Sequence, residues 1–557
     1  MPGRRTLGCG LLAGLLLAGP AAAYLDPQAL VLPEQSPAGE TDRPLPGSGP
    51  ANAARFSLDV ALPIASTAPD RPDDSPPNAT GGLRISVEDA VASALASNPS
   101  LRAQRLQPII AGTFAAVERA VFDPRLFARL ETSREVTERV SEDIQSNFSV
   151  RSDQDTATAG IRQTLPTGTE LELSLEQDLS ESNRSPRQAG TRAGLTITQA
   201  LLAGFGISSN LVALRQARTD ALASAYELRG FVVALVADVE TTYWDYLGAR
   251  ERIDILDNAL QVARQQSREA ALRIEAGTVA EVEQAAFSAE AARRRQDLID
   301  GRAEAERLRT QLLQLISAPM TDFYDRAVTP TTPVVTDAAP LDGPRDYVDL
   351  AEIRRPEINQ ARLDVARNEL DVVATRNGLL PRLDLFVTLG QTGFARNYGK
   401  AYANLDSGDT YDLSGALEFE YALGNRAGEA LNRGARASVA QASASLDNLA
   451  RVIEAEVRYA LIEARRAAAQ IEASAATVAF REQTLEAEKA RFDVGRSTAL
   501  LVAQAQRDLL SARLDRVDAF ISYRQALIQL HVADGSLLVR RLIDMPGALP
   551  PTLAWRR

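Results

Sequence analysis

The sequence predicts a mainly α-helical fold in which long coiled-coil helices are combined with strands of a membrane β-barrel, built from two internal repeats. A short helical phrase lies between two prolines in each half of the chain. In both halves these prolines are 25 residues apart, Pro99 to Pro124 and Pro356 to Pro381. Long proline-free helical patterns and segments of alternating polarity follow each phrase. A period near half the chain length indicates one duplicated unit rather than a solenoid of many units.

The N-terminal segment has the pattern of a secretory signal peptide. Arg4 and Arg5 precede an apolar run that ends in small residues at Ala21–Ala23, so we expect residues 1–23 to be removed. The single cysteine, Cys9, lies within this segment, so the mature chain would contain no disulfide and no thiolate site. Residues 24–83 are rich in proline and show no period, which predicts a disordered extension; a tether to a partner is the alternative.

Composition argues against several functional classes. The net charge of −12 disfavours a nucleic-acid partner, which would call for a basic surface. The chain has one histidine, His531, and we interpret it as structural. There is no glycine-rich phosphate loop and no spaced set of metal ligands, so the sequence predicts neither an enzyme nor a cofactor or metal site. No apolar run of about 18 residues follows the signal peptide, so no transmembrane helix is predicted.

The first repeat, residues 84–320, opens with helix signals. Ser86 followed by acidic residues suits a helix start, because the side chain caps free backbone N–H groups and the acids lie near the positive end of the helix dipole. Asn98-Pro99 begins a second helix, which should kink at Pro108 and end near Val121.

Segments with strict alternation of polarity follow in both repeats. The clearest places Leu171, Leu173 and Leu175 on one face and glutamates on the other. Alternation over about ten residues is typical of a membrane-barrel strand, with apolar side chains outward, although a half-buried strand of a soluble sheet has the same pattern. The segment LPTGT at 165–169 predicts a tight turn, and longer polar segments predict loops at the opposite rim.

Two helical hairpins of unusual length are predicted. Their helices span about residues 208–274 and 279–316 in the first repeat, and about 428–492 and 498–532 in the second. Apolar residues recur at spacings of three and four in each hairpin, as in coiled-coil seams. These seams comprise Ile253, Leu256, Leu260, Ala263, Ser267, Ala270 and Ile274, and Leu510, Leu514, Val517 and Ile521. Because several seam residues are small and bury little area, we expect oligomerisation.

The two hairpin turns share a motif. RIEAG at 273–277 recurs as RFDVG at 491–495, and glycine permits the left-handed backbone that ends many helices. A single instance would indicate only a helix stop, but two matching instances predict a shared tip surface. Glu281 and Glu283 follow the first turn and Arg496 follows the second, so they could form ion pairs across a constriction. The alternative is a solvated charged face, where each pair contributes about 0–1 kcal/mol. The aromatic run at 243–246 is interpreted as helix packing.

In this order, these motifs resemble the TolC family of outer-membrane efflux and secretion channels over about residues 84–540. The resemblance rests on NPSLRAQRL and RPEINQARL, the PRL strand entries, the tips RIEAGTVAEVE and RFDVGRSTALLVAQAQ, and QALLAGFGISSNLVALRQAR. It implies a homotrimer whose strands close one barrel in outer-membrane lipid and whose helices form a tunnel in the periplasm. It also implies that a periplasmic adaptor binds the hairpin tips and links them to an inner-membrane pump.

The resemblance assigns tip residues one by one. Contacts with the adaptor would come from Arg273, Gly277, Thr278, Arg491, Gly495 and Arg496. A candidate periplasmic gate comprises Glu281, Glu283 and Gln504, of which Glu283 matches the family's acidic residue after the first tip glycine. The second tip departs from the family: Leu501 and Gln504 stand where some members carry an aspartate ring, and Ser497 replaces a basic residue. This departure puts an aspartate gate in doubt.

The family pattern implies four strands per chain, or 12 in a trimer. The first repeat has 41 residues more than the second between corresponding positions, because Pro124 to Tyr243 is 119 residues and Pro381 to Tyr459 is 78. The excess falls where residues 156–179 predict an extra hairpin. That hairpin could join the wall, giving 18 strands, or lie in an outer loop. We expect about four wall strands, since an added pair would demand a wider barrel over the same tunnel.

The rest of the predicted organisation is a linker at 321–345, the second repeat at 346–540 and a tail at 541–557. The expected function is passive exit for the substrates of a tripartite efflux or type I secretion system. The sequence does not separate drug or metal efflux from protein secretion. A periplasmic coiled-coil scaffold with a soluble sheet is the alternative from another class. An acidic chain could favour cations if its acids line the lumen.

Overall fold

A computed structural model describes residues 56–57, 82–141, 146–275, 281–316, 323–333, 340–405 and 410–545. Residues 55–557 form one structural unit, and the unit Met1–Ala54 lies outside the described residues. The predicted signal peptide, most of the predicted extension and all but five residues of the predicted tail therefore lie outside them too.

Four long helices make two antiparallel hairpins, close to where the sequence predicts them. The first hairpin consists of α5 (Val212–Glu275) and α6 (Glu281–Leu315), and the second of α10 (Arg426–Asp493) and α11 (Ala499–Ala533). The shorter helices are α1 (Val87–Ser97), α2 (Pro99–Gln104), α3 (Leu106–Arg119), α4 (Ile207–Asn210), α7 (Pro344–Arg354), α8 (Pro356–Asn377), α9 (Tyr398–Asn404) and α12 (Leu537–Arg540). Among the described helices, none combines the length and apolar character needed to cross a membrane.

The N-terminal helices follow the local signals of the sequence. Ser86 caps α1 in a reciprocal arrangement, since its hydroxyl accepts a hydrogen bond from the Asp89 N–H and the Asp89 carboxylate accepts one from the Ser86 N–H. Asn98 caps α2 through one bond, in which its side-chain oxygen accepts from the Leu101 N–H at 3.1 Å. The helical path then breaks at Arg105, because Pro108 has no N–H to donate to the carbonyl of the residue four positions earlier.

Within the described residues, all strands longer than three residues belong to one antiparallel sheet of six strands. Its order is β3 (Arg125–Ser141), β4 (Ser146–Leu165), β5 (Thr169–Ser182), β6 (Gln188–Ala200), β8 (Arg382–Ala395) and β9 (Tyr411–Glu420). Two short parallel pairs are separate from it: β1 (Phe56–Ser57) with β10 (Ile543–Asp544), and β2 (Leu83–Ile85) with β7 (Val328–Pro330). Short 3₁₀ helices occur at Ala120–Phe122 and Phe323–Asp325.

The six-stranded sheet corrects the expectation of about four strands per chain. The hairpin in the extra 41 residues is β4 and β5, and it pairs with β3 on one side and β6 on the other. Its period-two alternation fits the faces of its neighbours, so its backbone groups are satisfied in the sheet instead of remaining exposed in a loop.

The main core lies where α1, α5, α6 and α11 meet the short β2–β7 pair. Tyr243 and Trp244 pack edge to face, and Trp244 packs in the same way on Phe520. The Tyr243 hydroxyl also donates to the Ile85 carbonyl at 3.1 Å, and the Tyr246 hydroxyl donates to the Val328 carbonyl at 2.8 Å. The aromatic run therefore packs in the core, as the sequence indicates.

The two predicted seams meet each other between the hairpins. Leu256 and Leu260 of α5 cluster with Leu298 of α6 and Leu510 of α11, and Leu514 lies at the edge of the cluster. Within the second hairpin, ion pairs cross from α10 to α11: Arg481 to Asp508 at 3.0 Å and Arg513 to Glu482 at 2.7 Å. The apolar seam and these pairs fix the register of the helices.

Asp245 of α5 provides a pH test of this core. Burial raises the pKa of its carboxyl group above the ordinary aspartate value of about 3.9, and the Gln525 amide, which donates at 2.7 Å, opposes the shift. The folded state therefore holds this proton more tightly than the unfolded state, so the contribution of Asp245 to stability falls as the pH rises through and above that value. We expect Asp245→Asn to raise the midpoint of thermal unfolding at pH 7 and to have a smaller effect at pH 4. Exposed Asp254→Asn is the control. An equal effect of Asp245→Asn at both pH values would contradict the assignment.

Candidate functional site

One face of the six-stranded sheet is apolar and uncovered in the single chain. The register places six residues in one row across all six strands: Leu126, Ile161, Leu173, Leu195, Leu389 and Leu413. At the two ends of this row, Leu126 is 83% exposed and Leu413 is 67% exposed. An exposed apolar surface that runs across a whole sheet requires a covering medium or partner.

The opposite face carries charge and internal ion pairs. Arg162 lies 2.5 Å from Glu172 and 3.2 Å from Glu170, and Arg192 of β6 reaches over β8 to Asp412 of β9 at 2.7 Å. By register, ten acids share this face: Glu131, Glu135, Glu170, Glu172, Glu176, Asp178, Asp384, Asp412, Glu418 and Glu420. Six arginines join them: Arg125, Arg129, Arg139, Arg162, Arg192 and Arg382. The polar face is therefore negative by four charges per chain.

Aromatic residues lie at both ends of the apolar face. Tyr411 begins β9 and is 79% exposed, whereas Phe419 near its other end is 65% exposed. These residues are eight positions apart, or about 27 Å along a strand at ~3.4 Å per residue. Tyr402 of α9 and Tyr421 extend the two aromatic ends and are about half exposed. An apolar band of about 25 Å bordered by aromatic residues is typical of the outer surface of a membrane barrel.

The tip of the second hairpin is a Schellman motif. The Gly495 N–H donates to the Phe492 carbonyl at 2.9 Å, and the Arg496 N–H donates to the Arg491 carbonyl at 2.8 Å. Gly495 has a φ of +73°, as this motif requires. Glu488 completes the turn, because its carboxylate accepts from the Ser497 hydroxyl at 2.8 Å and pairs with Arg491 at 2.7 Å. The side chains of Arg491 and Arg496 lie exposed on this tip.

The end of α5 lies beside the second tip, as the guanidinium of Arg273 shows. Its central carbon lies 5.8 Å from the centre of the Phe492 ring, at cation–π distance. Gly277 and Thr278 lie outside the described residues. Glu281 and Glu283 begin α6, and their side chains also lie outside the described part, so their predicted ion pairs with Arg496 stay a prediction.

The structure adds apolar residues to the tip region that the sequence analysis missed. Leu272, Val494 and Leu500 are each about two-thirds exposed. Leu501 and Gln504, from the predicted gate region, are exposed on the first turns of α11. Val494 and Leu500 lie within the second tip motif and Leu272 directly precedes the first, so an apolar residue at each of these places is the signal that the sequence offers. Among the described residues, no cluster of histidine, cysteine or carboxylate side chains could hold a metal ion.

The turn at Gly495 provides a second prediction. A Cβ there would force a side chain into the left-handed region, which costs about 1–2 kcal/mol. We expect Gly495→Ala to speed hydrogen exchange of the backbone amides at positions 495 and 496, which form the two bonds of the motif. Gly434→Ala is the matched control, because Gly434 lies within α10 with open space around it, and alanine should stabilise that helix by about 0.5–1 kcal/mol. Unchanged exchange at the tip of Gly495→Ala would be inconsistent with the motif.

Comparison with known proteins relates part of this chain to a protein family. Residues 347–536 match the sequence profile of the outer membrane efflux protein family. The resemblance to TolC-like outer-membrane efflux proteins is thereby confirmed. Among curated protein sequences, none matches the chain.

Solved outer-membrane channels share the fold of this TolC-like chain. The Campylobacter jejuni CmeC outer membrane channel is 16% identical, with a TM-score of 0.60 over 82% of this chain and 90% of CmeC. The outer membrane protein VceC of Vibrio cholerae is 18% identical, with a TM-score of 0.59 over 81% of this chain and 96% of VceC. The open state of the Neisseria gonorrhoeae MtrE outer membrane channel is 17% identical, with a TM-score of 0.57 over 81% and 89%.

Proposed function

We propose that this chain is one subunit of a homotrimeric outer-membrane channel that gives passive exit to substrates of a tripartite efflux or type I secretion system. The observation that supports it best is the two-faced sheet joined directly to long helices. The sheet has an exposed apolar face and a charged opposite face, and β9 leads into α10, whose 68 residues span about 100 Å. A lipid-facing wall, a polar lumen and a helical tunnel account for all three features.

Both edges of the sheet need partners. Within the described chain, β3 pairs only with β4 and β9 pairs only with β8, so each edge strand has one unpaired side. Unpaired backbone groups in lipid cost several kcal/mol each, so the sheet must close with copies of itself. A stripe on α3 leads to the same conclusion, since Leu106, Ile110, Phe114 and Val117 are 49–61% exposed. The family resemblance supports three as the number of copies.

The tips support a partner at the far end of the helices. With the sheet in the outer membrane, the hairpins extend into the periplasm and present exposed arginines beside exposed leucine and valine side chains. A periplasmic adaptor that carries acidic and apolar groups would fit this surface. Since the chain has no described site for energy conversion, an inner-membrane pump would supply the energy.

The charge of the polar face gives a further prediction. An excess of acids in a confined, water-filled passage raises the local cation concentration. We expect the open channel to prefer cations, measured as a reversal potential across a salt gradient, and the preference to weaken at high salt. Glu176→Gln and Asp178→Asn together should reduce the preference, whereas Asp254→Asn on α5 should not. Anion preference in the unmodified channel would contradict the proposed lumen.

The function is tested by single-channel recording. The detergent-extracted protein is first sized and then added to a planar bilayer. Discrete conducting steps from a trimer are the expected result. A protein that washes off membranes without detergent and does not conduct would refute the channel and favour the periplasmic scaffold. Recordings with and without a candidate adaptor would test the tip assignment separately.

A further inference from the structure

The extra hairpin, β4 and β5, lies at the height of the apolar band. β4 pairs with β3 from Ser146 to Arg162 and with β5 from Ser152 to Leu165, so neither partner diverges. Ile161 and Leu173 consequently occupy the middle of the apolar row, between Leu126 and Leu195. A loop at the outer rim would not place its apolar residues in line with those of the wall.

The turn of this hairpin is also fixed at the helical end of the sheet. The Asn210 amide donates to the carbonyls of Pro166 at 3.2 Å, Gly204 at 2.8 Å and Gly206 at 3.0 Å, and so joins the turn to the connection between β6 and α5. The Gly206 N–H donates to the Thr167 carbonyl at 3.1 Å. Gly168 has a φ of +84°, and a Cβ there would overlap the Gly204 carbonyl oxygen. This close fit makes the turn part of the junction between sheet and helices.

The hairpin widens the sheet without adding helices. The other four strands, β3, β6, β8 and β9, are each connected to a helix at the helical end of the sheet. In contrast, β4 and β5 are connected to each other there by the tight turn 166–168. At a strand spacing of ~4.8 Å and a tilt of ~40°, 18 strands give a backbone diameter of about 36 Å, and 12 strands give about 24 Å. The sheet end of the assembly would thus be about 1.5-fold wider than the 12-stranded barrel that the family resemblance implies.

We propose that the β4–β5 hairpin is a wall element of an 18-stranded barrel, and that it widens the outer exit to admit bulky hydrophilic solutes. The inference rests on the proposed trimeric channel. The hydrophilic class follows from the polar face, where the hairpin itself contributes Arg162, Glu170, Glu172, Glu176 and Asp178. A 12-stranded barrel would have a backbone diameter of about 24 Å. Solutes too large to pass through it are therefore the ones that only the wider exit would admit.

A deletion tests the width directly. Ser133, Gln154, Ser180 and Gln188 share one row and one face, and Glu135 lies in the row of Ser182. Removal of residues 136–182 therefore puts Glu135 in the place of Ser182, brings β3 beside β6 with its register and facing intact and keeps 183–187 as the turn. Polyethylene glycols of graded size are added to each side of the channel in turn during conductance recording. The largest polymer that enters from the sheet side should have an about 1.5-fold larger radius for the full chain. Equal cut-offs would overturn the proposal.

A second pair of variants serves if the deletion does not assemble. If β5 faces lipid, Leu173→Arg should lower the yield of membrane-inserted trimer roughly tenfold or more, as a charge does at the centre of a barrel's lipid face. Ser174→Arg, one position along and on the polar face, should leave the yield near that of the unmodified chain. If both variants insert equally well, the hairpin lies outside the wall and the proposal fails. An unmodified chain that forms no trimer and no channel would instead refute the underlying function.

Discussion

Leu389→Arg should prevent stable insertion of this protein, whereas Thr388→Arg should be tolerated. Leu389 lies in the apolar row on β8, between Leu195 and Leu413, and is partly exposed in the single chain. An arginine at the midplane of a barrel's lipid face costs about 2–4 kcal/mol, and three copies in a trimer multiply the penalty. Thr388 lies one residue away on the polar face, between Thr196 and Ser414, where an added guanidinium would meet water and a negative surface.

The measurement is the amount of heat-resistant trimer in outer-membrane fractions, compared at equal expression. The two variants share the strand, the height and the added charge, so they differ only in the face that receives the arginine. In a soluble sheet the apolar face would be covered by protein instead of lipid. Membrane insertion would then not separate the two variants. Equal trimer yields for the two variants would therefore argue against a lipid-facing surface.

Local periodicity explains how much of this fold could be predicted. The steps of three and four in α5 and α11 require no knowledge of distant residues, and the seams lie where the sequence places them. The alternation of Leu171, Leu173 and Leu175 likewise reports a strand with two unlike faces. Alternation does not report which strand lies alongside, however. The predicted strand number was wrong because the position of β4–β5 depends on pairing with β3 and β6. It also depends on the hydrogen bond from Asn210 to the Pro166 carbonyl, which joins residues 44 positions apart.

The tips show the same division between local and distant information. Glycine at 495 predicts the left-handed turn, since the conformation is a property of that residue. The contact of Arg273 with Phe492 joins the two repeats and depends on their packing. The exposed Leu272, Val494 and Leu500 carry no sequence period, so only their exposure distinguishes them.

The ion pair of Arg541 with Glu240 joins residues 301 positions apart and gives the largest expected loss of stability in the helical part. Glu240 is 1% exposed on α5, and Arg541 donates to both of its carboxylate oxygens at 2.6 Å. Arg541 also reaches Glu88 of α1 at 3.2 Å, so the residue that begins the predicted tail holds three parts of the chain together.

Arg541→Ala should destabilise the folded chain by about 3–5 kcal/mol, because it leaves the Glu240 carboxylate buried without a partner. Glu240→Met combined with Arg541→Met should be less harmful than either single change, since an apolar pair leaves no unpaired charge. Arg458→Ala is the control, as its i,i+4 pair with Glu454 is about half exposed and should contribute no more than about 0.5 kcal/mol. The thermal midpoint, followed by helical circular dichroism in detergent, is measured for the two single Met variants, the double Met variant, Arg541→Ala and Arg458→Ala. Strictly additive losses would show that the two side chains act independently and that the pair does not link the C-terminal segment to α5.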